Sequence, residues 1–311
     1  MREVRHFMES IVNSLTGSMR SMRDGELHAA ERAHVSDIAI EKVVTSEEHA
    51  EANVNTDWSN LLDAAPPPTA LRNFLSDAAR ALAPDELVHY AGGRLIALDT
   101  LLSAAECERL MAASESVGYG VTNYNQEYRG NLRMISTDDG MAAAVFERIK
   151  PFVPERVDGV DMAGEPCTWR LSGLNECWRW AKYRPSDRFG AHCDANFVRT
   201  DNEVSLFTLN IYLNAVPSSA GGATRFYPAS QKRSGVDEHG GTVDLAFAPA
   251  AGAAVLFLQP PQAYLLHDGE RLVGDGARKY LLRSDVMYTR EGERRIPGPS
   301  DADYVPDPDG K

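Results

Sequence analysis

From about residue 88 to residue 290 the chain is a succession of short apolar runs, each soon cut off by Gly, Pro or Asp, and that texture leaves few folds open. A helical domain needs apolar stripes sustained at 3.6-residue spacing, whereas short runs rich in Val, Leu, Phe, Tyr and Thr are strands. The runs are 94–98, 177–184, 204–213, 223–227, 243–247, 254–258, 263–266 and 279–288. Two helical patterns sit among the earlier ones, at 103–116 and 139–149. Many short strands at close spacing predict a mainly β chain with flanking helices (α+β), on a sandwich or jelly-roll core.

Upstream the texture differs. Val4, Phe7, Met8, Ile11, Val12 and Leu15 recur at helical spacing, so an amphipathic helix is expected there. It either packs against the body or serves targeting: Arg2, Arg5, Arg20 and Arg23 suit a transit peptide, and Glu3 and Glu9 do not. Residues 24–65 are polar, and His28, His34 and His49 are expected on solvated faces. Pro66-Pro67-Pro68 breaks any helix, after which Thr69 can cap one striped by Leu71, Phe74, Leu75, Ala78, Ala79 and Leu82. The expected organisation is a helical, partly disordered extension over 1–68, one domain over 69–295 and a disordered tail over 296–311.

A formal net charge of -13 would repel a phosphate backbone and anionic lipid, so nucleic acid and membrane surfaces are not expected partners. Cys107, Cys167, Cys177 and Cys193 contain no CxxC pair and are too sparse for a disulfide framework. With no long apolar segment, a soluble cytoplasmic chain is expected. Oligomeric state is not legible.

Chemistry concentrates in Phe189-Gly190-Ala191-His192-Cys193-Asp194. In extended backbone alternate residues share a face, so His192 and Asp194 would point into one pocket and Cys193 away from it. HxD alone is a weak signal. A third ligand is available where Ala263-Tyr264-Leu265-Leu266-His267 ends an apolar run on a histidine. Two imidazoles and one carboxylate on one face of an ion form the facial triad of non-haem Fe(II) oxygenases, although zinc accepts the same ligands.

The order Tyr183, His192 and Asp194, Gly221-Gly222-Ala223-Thr224-Arg225-Phe226, His267, then Lys279-Tyr280-Leu281-Leu282-Arg283 resembles the prolyl 4-hydroxylase-like branch of the Fe(II)/2-oxoglutarate-dependent dioxygenases. Leu102-Ser103-Ala104-Ala105-Glu106-Cys107 is similar, more weakly, to that family's first helix. The resemblance implies a double-stranded β-helix with His192, Asp194 and His267 as metal-binding and catalytic residues. It also implies 2-oxoglutarate as cosubstrate with O2, ascorbate being a further optional reductant. Lys279 would pair the distal carboxylate of 2-oxoglutarate, with Tyr183 and Thr224, and Asn210 beside them, in the same pocket. The stretch after His267 is slightly longer than the family's, which leaves Arg278 as a rival to Lys279. Alternation puts only one of the two inside.

Such an enzyme hydroxylates a C–H bond and releases succinate and CO2. The carboxylate at Asp194 favours hydroxylation, because related halogenases have a small residue there. A peptidyl proline, a free amino acid or a small metabolite all remain open as substrate, with residues 196–203 and 229–241 as candidate rims. Two other classes use the same ligands: a zinc hydrolase, which needs an added carboxylate base, and a non-catalytic metal-binding barrel. Arg129, Asn131 and Arg133 alternate in an extended stretch, so their side chains would share a face and could contact an anionic substrate, although an exposed sheet face is the expected reading. The glycines Gly221 and Gly222 are expected to make a tight turn and no chemistry.

Overall fold

The structure, a computed structural model, describes residues 56–71, 94–121, 124–239 and 241–292. The expected N-terminal helix, the three histidines of residues 24–55, most of the helix expected after Thr69 and the expected tail lie outside the described residues.

The strands are β1 (Ala70–Leu71), β2 (Leu95–Asp99), β3 (Leu132–Thr137), β4 (Arg156–Val160), β5 (Pro166–Leu174), β6 (Cys177–Tyr183) and β7 (Phe189–His192). They continue as β8 (Val198–Thr200), β9 (Glu203–Tyr212), β10 (Thr224–Phe226), β11 (Leu245–Phe247), β12 (Ala254–Leu258), β13 (His267–Gly269) and β14 (Lys279–Arg290). Three α-helices accompany them among the described residues: α1 (Ala104–Val117), α2 (Asp139–Ile149) and the short α3 (Arg233–His239). A ten-stranded sheet runs β1-β2-β12-β9-β14-β5-β4, with β6 on β14, β3 on β6 and β8 on β9. A smaller sheet runs β11-β10-β13-β7. Every described ladder is antiparallel, and the two sheets make the jelly-roll core.

The register explains which side chains face inward. Val255 on β12 lies opposite both Ala97 on β2 and Asn210 on β9, and Phe257 lies opposite Leu95 and Thr208. Leu95, Ala97, Tyr212, Val255 and Phe257 meet Phe226, Leu245 and Phe247 from the smaller sheet in one buried cluster. The opposite-facing Ile96, Leu98, Leu209, Ile211 and Leu282 are buried as well. The central strands therefore read as continuous apolar runs, because both faces of the sheet are covered.

Both long helices start on designed caps. The Ser103 hydroxyl accepts from Glu106 N at 3.1 Å while Glu106 Oε2 accepts from Ser103 N at 2.7 Å, a capping box. Asp138 caps α2 by accepting from Met141 N at 2.7 Å. These two acids also hold residues 57–63, which lie on the N-terminal side of the boundary expected at residue 68. Asp138 Oδ2 accepts from Trp58 N at 2.8 Å, and Glu106 Oε1 accepts from Asp63 N at 2.7 Å. Trp58 is fully buried, its ring 4.4 Å from that of Trp180. The packed body thus begins before the proline run. Thr69 caps no helix at residue 71: Ala70 and Leu71 pair as a strand with Asp99 and Leu98.

Glu106 owes its low carboxyl pKa to a balance: burial pushes it up, and Arg148 with the two backbone donors more than reverses that. The pair, 2.7 Å apart, is 4% and 0% exposed at Arg148 and Glu106. Removing one partner strands the other charge. Arg148→Met is therefore expected to lower unfolding stability by about 3–5 kcal/mol, read as the denaturant midpoint, whereas a loss under 1 kcal/mol would show the carboxylate finding other partners.

One expected strand is displaced. Residues 263–266 are irregular, and the ladder begins at His267, which is held between Phe226 on β10 and His192 on β7. Ala263 and Leu266 are buried without strand pairing, which is why their sequence reads like one. No helix among the described residues is long and apolar enough to cross a membrane.

Candidate metal centre and cosubstrate pocket

His192 ends β7 and His267 begins β13, as Cα partners across the ladder, so both rings are delivered to one mouth of the roll. Asp194 follows two residues after His192 and points back to them, while Cys193 is exposed. Ligand atoms of the three all lie within 4.8 Å of one another. Close packing fixes the approach. Gly190 has no room for a side chain, since a Cβ there would sit 2.3 Å from the Tyr128 ring, and Gly190 N donates to Tyr128 O at 2.6 Å.

Each histidine is oriented by its own backbone. His192 Nδ1 is 2.8 Å from Gly190 O and His267 Nδ1 is 2.9 Å from Leu265 O. A carbonyl can only accept, so Nδ1 carries the proton and Nε2 offers its lone pair to the site. Burial, with His192 beside it, pulls His267 down to about 4, which keeps the ring neutral at neutral pH. The rings are wedged by aromatics: Phe189 stacks on His192 at 3.8 Å and Phe257 meets His267 edge-on at 4.7 Å.

Burial alone would raise the Asp194 carboxyl, but Arg283 and the two histidines outweigh it and hold the group well below the ordinary carboxylate range. Arg283 Nη1 is 3.3 Å from Asp194 Oδ1, and Thr208 Oγ1 donates to Asp194 Oδ2 at 2.8 Å. Gln259 Nε2 donates to both Thr208 Oγ1 and Asp285 Oδ1 at 2.9 Å, and Ser205 Oγ donates to Gln259 Oε1 at 2.6 Å. This chain of hydrogen bonds, none of it legible as a motif, sets the carboxylate's orientation.

Deeper in the roll, β14 projects Lys279, Leu281 and Arg283 inward, opposite Tyr183, Ala181 and Arg179 on β6. Lys279 is 1% exposed and donates from Nζ to Gly222 O at 2.6 Å, above the Tyr183 ring at 4.7 Å. Arg278 faces outward, exposed, and donates to its own neighbour's carbonyl, Ala277 O, at 2.9 Å. Thr224 is buried, its hydroxyl accepting from the Tyr212 hydroxyl at 2.8 Å. Gly221 and Gly222 both take positive φ, 67° and 78°, and Gly222 adds a carbonyl to the lysine's surroundings.

One cavity is lined by His192, Asp194, His267, Lys279, Tyr183 and Thr224 together. Arg129, Asn131 and Arg133 line it too, which corrects the exposed sheet face expected of them. Arg133 lies opposite Ala181 on β6, so β3 extends the inner wall and does not face solvent. Arg179 and Arg283 complete that wall and had no sequence signal beyond strand alternation. On the smaller sheet, Arg225 grips Asp268, next to His267, with contacts of 2.9 and 2.6 Å, and the Tyr227 hydroxyl donates to the same carboxylate at 2.9 Å.

The donor set suits Fe(II): two neutral imidazole nitrogens and one ionised carboxylate leave part of the coordination sphere for other ligands. The pocket behind it suits a dicarboxylate. Lys279 is a buried cation with no ion pair among the described residues, and burial pulls its pKa down to about 8. Such a group calls for an anion.

Residues 178–283 match the sequence profile of the 2OG-Fe(II) oxygenase superfamily. No curated protein matches the chain. Among solved structures, it is similar to a Pseudomonas putida prolyl-4-hydroxylase, with 19% identity over 67% of this chain and 97% of that one, at a TM-score of 0.42. It is also similar to the viral collagen prolyl hydroxylase of Paramecium Bursaria Chlorella virus-1, with 17% identity, 64% and 98% covered, TM-score 0.40. A third is HygX from Streptomyces hygroscopicus, with nickel, 2-oxoglutarate and hygromycin B bound, at 14% identity, 67% and 87% covered, TM-score 0.44. The matched segment runs from β6 into β14 and contains the whole His-Asp-His cluster.

Proposed function

We propose that the chain hydroxylates an unactivated C–H bond of a peptidyl proline, a free amino acid or a small metabolite, with His192, Asp194 and His267 as the iron ligands. The observation that carries this reading is the placement of a buried, carboxylate-free lysine in the same cavity as the three ligand atoms. Bound iron supplies the activation of O2 that couples decarboxylation of 2-oxoglutarate to substrate oxidation. The protein's own contribution is position and charge. Lys279 and Tyr183 receive the distal carboxylate of the cosubstrate, Thr224 borders it, and Thr208 and Arg283 fix the Asp194 carboxylate. A zinc hydrolase is disfavoured by the acids available. The cavity's only other carboxylate among the described residues, Asp268, is already held by Arg225 and Tyr227, so no free base stands beside the ligands. A purified-enzyme screen for succinate release over proline-containing peptides, amino acids and small metabolites tests the proposal. Stimulation by at least one class, with an added oxygen in the product, is expected; iron-independent turnover would sink it.

Lys279 gives a pH dependence whose sign can be worked out. Burial holds its free-state pKa near 8, so below that value it is already charged and ready for the anion. Above it, binding must first take up a proton, and affinity falls by up to about tenfold per pH unit. The 2-oxoglutarate dissociation constant is therefore expected to be flat below pH 8 and to rise above it, with Lys279→Arg flattening the rise. An unchanged profile in that variant would assign the titration elsewhere.

A further inference from the structure

The cavity wall holds more positive charge than the cosubstrate can use. Arg129, Arg133, Arg179, Lys279 and Arg283 line it, against the two carboxylates Asp194 and Asp268. Asp268 already serves Arg225 on the smaller sheet. Behind the wall, Asp285 takes Arg179 at 2.6 Å and Arg283 at 3.3 Å, which lets those two arginines lie side by side across β6 and β14. Arg129 and Arg133 make no ion pair among the described residues. A divalent ion and the 2-oxoglutarate dianion cancel each other, so loading the site leaves this excess in place.

The two unmatched arginines are prepared for an anion. Both side chains are half-buried, and the Nε of each is buried with no hydrogen-bond partner, as are Asn131 Oδ1 between them and Asn210 Oδ1 across the cavity. The Arg129 guanidinium lies over the Phe189 ring, 4.3 Å from its centroid, and Phe189 in turn stacks on His192, so this guanidinium stands beside the metal ligands. Arg133 sits one row along the wall from Tyr183 and Lys279, opposite Ala181. Burial, and then the neighbouring Arg129, Arg179 and Arg283, lower its pKa, in keeping with a guanidinium crowded by like charges and with no ion pair of its own among the described residues. Guanidinium groups keep their charge under such crowding and match the planar fork of a carboxylate or the oxygens of a phosphate. The chain as a whole carries -13, so this local excess is not a general property of its surface.

We infer that the molecule oxidised here carries its own oxyanion, a carboxylate or a phosphate, and that Arg129 and Arg133 bind it and so set which C–H bond faces the metal. This rests on the oxygenase reading above and deepens it: a free acid or phosphate ester is selected over a neutral internal peptide segment.

The test uses the full chain loaded with Mn(II) in place of iron and saturated with 2-oxoglutarate, so that no turnover occurs. Inorganic phosphate, followed by its 31P relaxation, and 13C-labelled acetate, followed at its carboxyl carbon, are the probes; the paramagnetic ion reports any anion held near it. The wild-type chain is expected to show saturable relaxation enhancement with at least one probe, and the tighter of the two tells carboxylate from phosphate. Arg133→Met and Arg129→Met should each weaken that binding by about ten- to a hundredfold, the worth of a charge-assisted hydrogen bond. The 2-oxoglutarate affinity of both variants should stay within about threefold of wild type, which also certifies their folding. Absence of a saturable second anion, or unchanged binding in both variants, would overturn the inference. So would variants that weaken 2-oxoglutarate instead, since the arginines would then belong to the cosubstrate. Failure of the wild type to take up Mn(II) and 2-oxoglutarate at all would defeat the oxygenase reading itself and is seen before any probe is added.

Discussion

His267→Ala is expected to leave a folded chain whose Fe(II)-dependent consumption of 2-oxoglutarate falls below detection. Residues that merely orient a ligand cost about 10–100-fold in metal affinity when removed, so loss of a ligand should exceed a hundredfold. His192→Ala and Asp194→Ala should do the same to turnover. The three differ in what they do to the metal-free fold. Asp194 is the acceptor for Thr208 and the partner of Arg283, so its removal leaves a buried hydroxyl and a guanidinium short of partners. Among the described residues the His267 ring makes one hydrogen bond, to Leu265 O, and its replacement tests the ligand role more cleanly. Iron content by metal analysis, alongside a thermal unfolding curve, checks the prediction. Full iron occupancy in His267→Ala would remove that residue from the ligand set.

Lys279→Ala is expected to raise the 2-oxoglutarate concentration needed for turnover while iron stays bound. The distal carboxylate would be left buried and unpaired, at a cost of about 3–5 kcal/mol, or roughly a hundred- to a thousandfold in affinity. Without cosubstrate the sign reverses. A buried ammonium whose only hydrogen bond among the described residues is to Gly222 O is a burden on the free chain, so Lys279→Met should raise the melting temperature of the chain alone while abolishing its stabilisation by 2-oxoglutarate. Arg278→Ala, on the exposed side of the same strand, should change neither quantity. If Arg278→Ala weakened 2-oxoglutarate and Lys279→Ala did not, the cosubstrate would bind on the other face of β14.

What was legible in the sequence is what depends on local periodicity. The span 139–149 coincides with α2 and 254–258 with β12, because capping and apolar runs are decided by near neighbours. Strand alternation, also local, put only one of Arg278 and Lys279 inside and left the choice open; the register of β14 turns Lys279 inward. What escaped was decided by neighbours distant in the chain. Strands β4, β5 and β8 carry mostly exposed or half-buried residues, so they show no apolar run; they exist through pairing with β5, β14 and β9. Residues 263–266 showed the reverse, an apolar run that buries Ala263 and Leu266 without forming a strand. Arg129 and Arg133 alternate as a solvated strand would, and nothing in their own segment tells which side of β6 that strand adds to. Only the register of β3, with Arg133 opposite Ala181, turns Arg133 inward, and Arg129, ahead of β3, is placed by its bridge to Phe189 on β7. The support chain from Ser205 through Gln259 and Thr208 to Asp194 joins residues from β9, from the turn after β12 and from the loop after β7, and no spacing rule connects them.

The central claim is that one cavity holds iron on His192, Asp194 and His267 and receives 2-oxoglutarate on Lys279. It is tested most directly by anaerobic titration of the Fe(II)-loaded full chain with 2-oxoglutarate, followed by the visible charge-transfer absorption that appears when a 2-oxo acid chelates iron. The wild-type chain should bind one equivalent of iron and develop the absorption saturably. Asp194→Ala should show neither iron nor absorption, and Lys279→Ala should keep the iron and need roughly a hundredfold or more 2-oxoglutarate. Iron bound in wild type with no absorption at any 2-oxoglutarate concentration, or an undiminished absorption in Asp194→Ala, would contradict the account.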